Sequence, residues 1–356
     1  MSNDTARHIT YAQAINEAQD VCLEKDPKVY LIGLGVPDPI GVFGTTKDLV
    51  NKYGPKRVQD MPIAENAMTG IALGSAIAGM RPVMSHMRVE FAMPAMDQIC
   101  NQAAKWHYMF GGQSRIPMTI RMIVGRGWGQ GPQHSQSLHA WFTHTPGLKV
   151  VMPSTPYDAK GLLIASIEDD NPVVFIEHRW LHNVVGAVPE GYYSIPLGKP
   201  NVVSKGDDVT LVASSYNVIE CIKAREALQA QNISAEIIDL RTLTPLDDAP
   251  ILESVKKTGH LVVCDQGSMT TGFAAEIMAR VTEKAFGDLK SPPIRITLPD
   301  CPTPTTRALS NYYYPTVNHI VNAALRTQGI ESGDPFDTIT PDQFLDIPDP
   351  SFKGPF

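Results

Sequence analysis

Pro117-Met118-Thr119-Ile120-Arg121-Met122-Ile123-Val124 runs directly into Gly125-Arg126-Gly127-Trp128-Gly129-Gln130-Gly131-Pro132-Gln133-His134-Ser135-Gln136. The first half is an apolar run of strand length, and its continuity suits a parallel strand buried on both faces. The second half sets glycine at every other position from Gly125 to Gly131, which supports neither a helix nor an ordinary strand. It reads as a tightly folded or mobile loop that delivers His134 and Ser135 at its end, the kind of loop that often carries function.

The same signature recurs on either side. Residues 29–36, 83–89, 149–152 and 172–177 are further strand-length runs rich in Val, Ile and Met, and helical patterns fill 67–80, 94–109 and 156–168. Thr155 as N-cap, Pro156 at the first helical position and Asp158 in the first turn mark the start of the last helix. After a Pro/Gly-punctuated passage, a second series follows, with strands expected at 209–213, 234–238 and 260–264 and helices at 218–231 and 273–286. The expected fold is α/β, two domains with mostly parallel sheets joined by right-handed crossovers. The boundaries read as a first domain at 1–187, a linker at 188–205, a second domain at 206–328 and a tail at 329–356. That tail is rich in Asp and Pro yet carries Phe336, Phe344, Phe352 and Phe356. It reads as a disordered end, or as an arm that lays these rings on a neighbouring subunit.

Composition narrows the options. The 356 residues exceed one typical core, so each half can bury its own. Thirty Lys plus Arg against 37 Asp plus Glu give a formal charge of -7 with no basic run, which sets nucleic acid aside. The charged share of 19% is below the roughly 25% of an average soluble domain, so surface lost to subunit contacts, and hence an oligomer, is expected. The five cysteines are odd in number and form no C-x-x-C pair, suggesting neither a disulfide framework nor a zinc site. Residues 1–10 are polar and no apolar stretch approaches 18 residues, so no membrane association and a cytoplasmic location are expected.

Three local features bear on chemistry. Glu65 ends Asp60-Met61-Pro62-Ile63-Ala64-Glu65, ahead of a helix containing Gly70, Gly74 and Gly79. From position alone such a carboxylate is a favourable partner for the helix dipole. His134-Ser135 lacks a G-x-S-x-G elbow, and His139 and His144 lack an H-E-x-x-H frame, so neither a serine hydrolase nor a histidine metal centre is supported. Finally, Gly33-Leu34-Gly35 and the glycine loop complete neither G-x-G-x-x-G nor G-x-x-x-x-G-K-[ST]. Two α/β domains without a phosphate cradle suggest that one is borrowed.

Longer motifs carry a resemblance. Tyr53-Gly54-Pro55-Lys56-Arg57-Val58, Pro62-Ile63-Ala64-Glu65, Ala95-Met96-Asp97-Gln98-Ile99, Gln133-His134-Ser135-Gln136, Pro146-Gly147-Leu148-Lys149-Val150-Val151 and Ile238-Asp239-Leu240-Arg241-Thr242-Leu243 belong together. The chain resembles, from about Ile9 to Arg326, the β subunit of the thiamine diphosphate-dependent 2-oxo acid dehydrogenase E1 component. The resemblance implies a transketolase-like pyrimidine-binding domain and C-terminal domain in an α2β2 heterotetramer. It implies an α subunit holding the pyrophosphate and Mg2+ through a G-D-G motif, which Gly206-Asp207-Asp208 and Gly287-Asp288-Leu289 do not complete. It implies that Glu65 hydrogen-bonds N1′ of the cofactor's pyrimidine, that Phe91 and Met87 pack beside that ring, and that His134 lies on the substrate and acyl-transfer path. Ser166, Ile167, Asp169 and Asn171 match a segment that binds potassium in several relatives, mainly through carbonyls. The implied reaction is decarboxylation of a 2-oxo acid with acyl transfer to the lipoyl domain of an acyltransferase. A two-component transketolase or acyloin-type enzyme, with a ketose or related donor, is the alternative, and a non-catalytic assembly subunit the third.

The chain departs from that pattern at Leu34, where an acidic residue is usual, at Ser85, where Glu is usual, and at Asp265-Gln266-Gly267, where Asp-Glu-Gly is usual. A carboxyl relay between two active sites is therefore expected to be broken or rerouted.

Overall fold

The computed structural model describes residues 7–127, 129–335 and 344–348. Val29–Gly33, Arg81–His86, Thr119–Val124 and Val173–His178 are strands buried at almost every position, which suits their largely apolar runs, and the buried charged exceptions Arg121 and Glu177 pair with each other at 2.6 Å. They form the centre of a seven-stranded sheet in the order Thr242–Thr244, Lys149–Val151, Val173–His178, Thr119–Val124, Arg81–His86, Val29–Gly33, Val58–Gln59. All neighbours are parallel except Thr242–Thr244, which adds an antiparallel edge.

Alternate residues of each strand feed opposite cores. Met84 and Ile120 join the layer containing Ala72, Leu73 and Ala76 of helix Glu65–Ile77. Val83 and Phe175 join the layer under helices Tyr11–Lys25 and Pro156–Glu168, which pack on each other. Pro156–Glu168 starts where the sequence marks it, and both helices are capped. The Thr10 and Thr155 side chains accept from the N–H groups of Gln13 and Asp158.

A second sheet has the order Ile294–Leu298, Leu261–Ser268, Val209–Ala213, Ala235–Asp239, Asn201–Ser204, with only the last strand antiparallel. Helices Tyr216–Gln229, Ala249–Thr258, Phe273–Ala285 and Val317–Thr327 pack around it. The two sheets share one core, because a single apolar cluster runs from Met84 and Met122 to Leu240, Leu243 and Val263.

Three elements differ from the sequence reading. Asn201–Ser204 is a strand inside the expected linker, and Thr242–Thr244 crosses to the first sheet. Both are short antiparallel edges, which lack the continuous apolar run that signals a buried strand. The expected helix at 94–109 is preceded by a tight turn at Val89–Ala95 and opens with wide turns over Asp97–Ala103 before becoming regular at Ala104–Met109. Pro94 removes a donor where the spacing changes. The glycine run forms no strand, and its end makes one short helical turn, Gly131–His134. Phe336, Phe352 and Phe356 lie outside the described residues, whereas Phe344 falls within 344–348 and packs on Arg307 of its own chain. No helix among the described residues is long and apolar enough to cross a membrane.

Candidate functional site

In α/β folds of parallel strands, ligands are bound beyond the C-terminal ends of the strands, and Glu65, Phe91 and His134 all follow such ends, those of Val58–Gln59, Arg81–His86 and Thr119–Val124. Glu65 is the first residue of helix Glu65–Ile77; it is half-buried, and the Ala64 cap makes no side-chain bond. The helix packs against the Val89–Ala95 turn, which follows the end of strand Arg81–His86 and carries Phe91. Phe91 is 40% exposed, a conspicuous aromatic surface in so buried a neighbourhood. Its ring centroid lies 5.4 Å from that of His134, the planes inclined at 50°. The glycine loop and the strand end thus meet. Met87 is half-buried and packs against the apolar cluster under helix Tyr11–Lys25.

Residues that the sequence reading passed over hold this arrangement. Arg88 Nη1 donates to the His134 carbonyl at 3.3 Å, and Glu90 Oε1 accepts from the Gln136 N–H at 2.9 Å. Both side chains are buried. Burial pushes the Arg88 pKa down against the pull of Glu90, and pushes Glu90 up against its N–H donors and Arg88. His86 Nε2 lies 3.3 Å from Thr69 Oγ1 on the Glu65 helix, and burial pushes its pKa down to about 4. It is therefore a neutral link between strand and helix. The available signal was the presence of His86, Arg88 and Glu90 in an otherwise apolar run from Val83 to Phe91.

Several buried atoms here have no hydrogen-bond partner among the described residues: Arg88 Nη2, Glu90 Oε2, His86 Nδ1 and His134 Nδ1. Buried polar groups are normally satisfied, so these atoms are open to a polar partner that the described residues do not supply.

The departures noted in the sequence also have places. Leu34 is 37% exposed, and the loop beside it is held by Asp60, whose Oδ1 accepts from the Gly35 N–H at 2.9 Å. Ser85 is buried in strand Arg81–His86. Asp265 accepts from His139 Nε2 at 2.8 Å and from the N–H groups of Gly267 and Ala274. Burial alone would raise its pKa, but His139 and these donors more than offset it and hold the carboxyl below the usual range. This pair ties the second sheet to the helix after the glycine loop.

Ser166, Ile167, Asp169 and Asn171 lie near the other end of the first sheet. Arg81 Nη1 donates to the carbonyls of Ile167, Glu168 and Asp169 at 3.2, 3.2 and 3.1 Å. Thr119 Oγ1 donates to the Ser166 carbonyl at 3.0 Å, and the Asp169 carboxylate takes Asn171 Nδ2 and Lys149 Nζ. A guanidinium faces two of the four residues matched to potassium binding.

The architecture has close relatives. Residues 7–183 match the transketolase pyrimidine-binding domain and residues 198–320 the transketolase C-terminal domain. The β subunit of acetoin:2,6-dichlorophenolindophenol oxidoreductase from Cupriavidus necator is 44% identical, covering 90% of this chain and 98% of that one. Its counterpart from Bacillus subtilis is 42% identical over 91% and 98%. The mitochondrial pyruvate dehydrogenase E1 β subunit of Bos taurus is 41% identical over 91% and 92%. A solved split-gene transketolase, an inactive β4 tetramer, superposes with a TM-score of 0.74 at 23% identity, covering 91% of this chain and all of that one, which speaks to the fold alone. The chain therefore belongs to the family of transketolase-like E1 β subunits that includes those of pyruvate dehydrogenase and of the acetoin oxidoreductases.

Proposed function

We propose that this chain supplies the pyrimidine-side half of a thiamine diphosphate site, completed by an α subunit in an α2β2 enzyme that decarboxylates a 2-oxo acid and passes the acyl group to a lipoyl domain. The observation that carries the reading is the open ring of Phe91 in contact with His134, whose Nδ1 is unpartnered, on a turn packed against the helix that Glu65 begins, with no phosphate cradle in the sequence. A carboxylate beside an aromatic face suits an aminopyrimidine, so the residues present fit this half of the cofactor. Pyrophosphate and Mg2+ are assigned to the α subunit.

When bound, thiamine diphosphate supplies a nucleophilic carbon that adds to the substrate carbonyl. The chain's residues set up that chemistry. Glu65 holds a hydrogen bond to N1′ and so tunes the ring's proton distribution. Phe91 offers its face to the pyrimidine, and Met87 stiffens the turn beneath from the core side. His134 can donate from the imidazole to an oxygen on which charge develops, or relay a proton. Arg88 and Glu90 fix the backbone on either side of that imidazole.

An acyloin-type reading has one specific support: the two acetoin oxidoreductase β subunits reach 44% and 42% identity and are matched over nearly their whole length. Turnover of a 2-oxo acid and of acetoin, each with a dye acceptor and with a lipoyl domain, decides between the two donors.

Glu65→Gln in the reconstituted complex is expected to lower turnover by about 10²–10⁴-fold, the range for a positioned acid or base, without moving the melting temperature. The isolated chain should bind thiamine diphosphate only weakly by calorimetry. Unchanged turnover, or tight binding without an α subunit, overturns the half-site.

A further inference from the structure

The glycine loop needs something to fix it, since alternate glycines give it no stiffness of its own. Gly127 has φ +90°, and a Cβ there would coincide with the backbone carbonyl of Asp346. At Gly131, with φ +70°, a Cβ would meet Thr305 Oγ1 at 2.6 Å. Two of the glycines are thus demanded by close approach of the C-terminal half, and one of them by residues 344–348.

Those residues are anchored by several contacts. Arg307 Nε lies 3.3 Å from Asp346 Oδ2, and the Arg307 guanidinium lies 4.3 Å over the Phe344 ring. Asn311 Oδ1 accepts from the Leu345 N–H at 3.3 Å. Ile347 packs onto the apolar cluster beneath. Asp346 has 1% of its surface exposed, unusual for an acidic residue so near a chain end, and it shares its cation with an aromatic face. From within the loop, Arg126 is held between Trp180 and Tyr314 at 4.5 and 4.4 Å. The loop is thereby gripped at Arg126, Gly127 and Gly131, immediately before it delivers His134.

We propose that residues 344–348 are a strap that holds the glycine loop in the conformation presenting His134 to Phe91, and that Asp346 is a positioning residue for the site. The role in turnover rests on the half-site reading above, whereas the ordering of the loop does not. A misplacement of about 1 Å in a catalytic group can lower a rate by up to 10²-fold, so a loosened loop is felt in kcat before it is felt in stability.

The test compares the full-length chain, a chain ending at Pro335, and Asp346→Ala, each in the reconstituted complex, by hydrogen exchange of residues 125–135 and by kcat and KM. Exchange is expected to quicken in both variants while kcat falls about tenfold with KM nearly unchanged. Asp346→Asn, which keeps the shape, should recover part of kcat, and Gly127→Ala, which displaces the strap from the loop side, should reproduce the loss. Should the shortened chain fail to fold, Asp346→Ala and Gly127→Ala decide alone. Unchanged exchange overturns the strap. Quickened exchange with unchanged kcat overturns the positioning role while Glu65→Gln still reports separately on the half-site.

Discussion

Strand Arg81–His86 begins in one chemistry and ends in another. At its start, the Arg81 guanidinium meets three carbonyls, the Asp170 carboxylate at 2.6 Å and, more loosely, Asp26 at 3.6 Å. At its end and just past it, His86, Arg88 and Glu90 are buried with polar atoms unpartnered, on the segment that leads to the open face of Phe91. The two ends are equally rich in charge and hydrogen-bonding groups. They differ in whether the chain spends those groups on itself. A network closed within the chain braces the fold, and a network left open awaits something from outside. Counting motif residues makes both ends look like ligand sites; counting hydrogen bonds separates them.

The largest effects test that separation directly. Glu65→Gln acts at the open end, so it should remove turnover and spare the melting temperature, as proposed above. Arg81→Met acts at the closed end and should do the reverse. It leaves the Asp170 carboxylate and three carbonyls without their common donor, a loss of about 3 kcal/mol, the low end for breaking a buried charged network because Arg81 keeps some exposure. Urea unfolding of the assembled enzyme measures it, with kcat per folded site expected at the wild-type value. A fall in kcat at unchanged stability would show that the two ends are coupled and the separation is false.

A smaller effect follows from a carboxyl at the C-terminal end of the second sheet. Asp239 ends strand Ala235–Asp239, accepts from Ser154 Oγ and from the Arg241 N–H, and is fully buried. Burial, with Asp158 adding to it, raises its pKa to about 7 against the pull of Ser154 and Arg241. The folded state therefore binds this proton more tightly than the unfolded chain does. Its contribution is full below the ordinary aspartate range and is lost as pH rises from about 4 through about 7. Asp239→Asn cannot ionise, so its stability relative to wild type should improve between pH 5 and pH 8, on the order of 2 kcal/mol after allowance for relaxation around a buried charge. Melting temperatures of both proteins across that range test it; a constant difference would mean that Asp239 is ionised throughout.

Much of the fold could be read from the sequence, because the buried parallel strands write themselves as runs rich in Val, Ile and Met. The edges Asn201–Ser204 and Thr242–Thr244 could not, since strands of three or four residues with polar ends carry too short an apolar run to signal. In the site, Glu65 and His134 stood out through their motifs and Phe91 through the resemblance alone, and the structure brings Phe91 and His134 into ring contact. Arg88 and Glu90 could be noticed only as charges in a strand-like run, and their targets were hidden for a physical reason: each acts on backbone atoms of 134–136, and a side chain that grips backbone leaves no complementary residue type in the sequence to betray its target. Asp346 was hidden in the same way, by a contact with Gly127 in which neither side chain takes part.

The smallest effect is expected where the sequence suggested potassium. Each carbonyl oxygen of the 166–171 segment has two lone pairs, and Arg81 uses one on Ile167 and one on Asp169, so an ion could bind only as a second positive charge next to a fixed one. Lys149 on the Asp169 carboxylate adds a third. Exchanging potassium for choline should therefore move the melting temperature of the assembled enzyme by less than about 2 °C, the least that roughly 1 kcal/mol gives in a sizeable domain. In Arg81→Met the repulsion is gone and the carbonyls are freed, so the same exchange should matter more there than in wild type. A large potassium effect in wild type that Arg81→Met leaves unaltered would show that the ion, rather than the guanidinium, closes this end of the sheet.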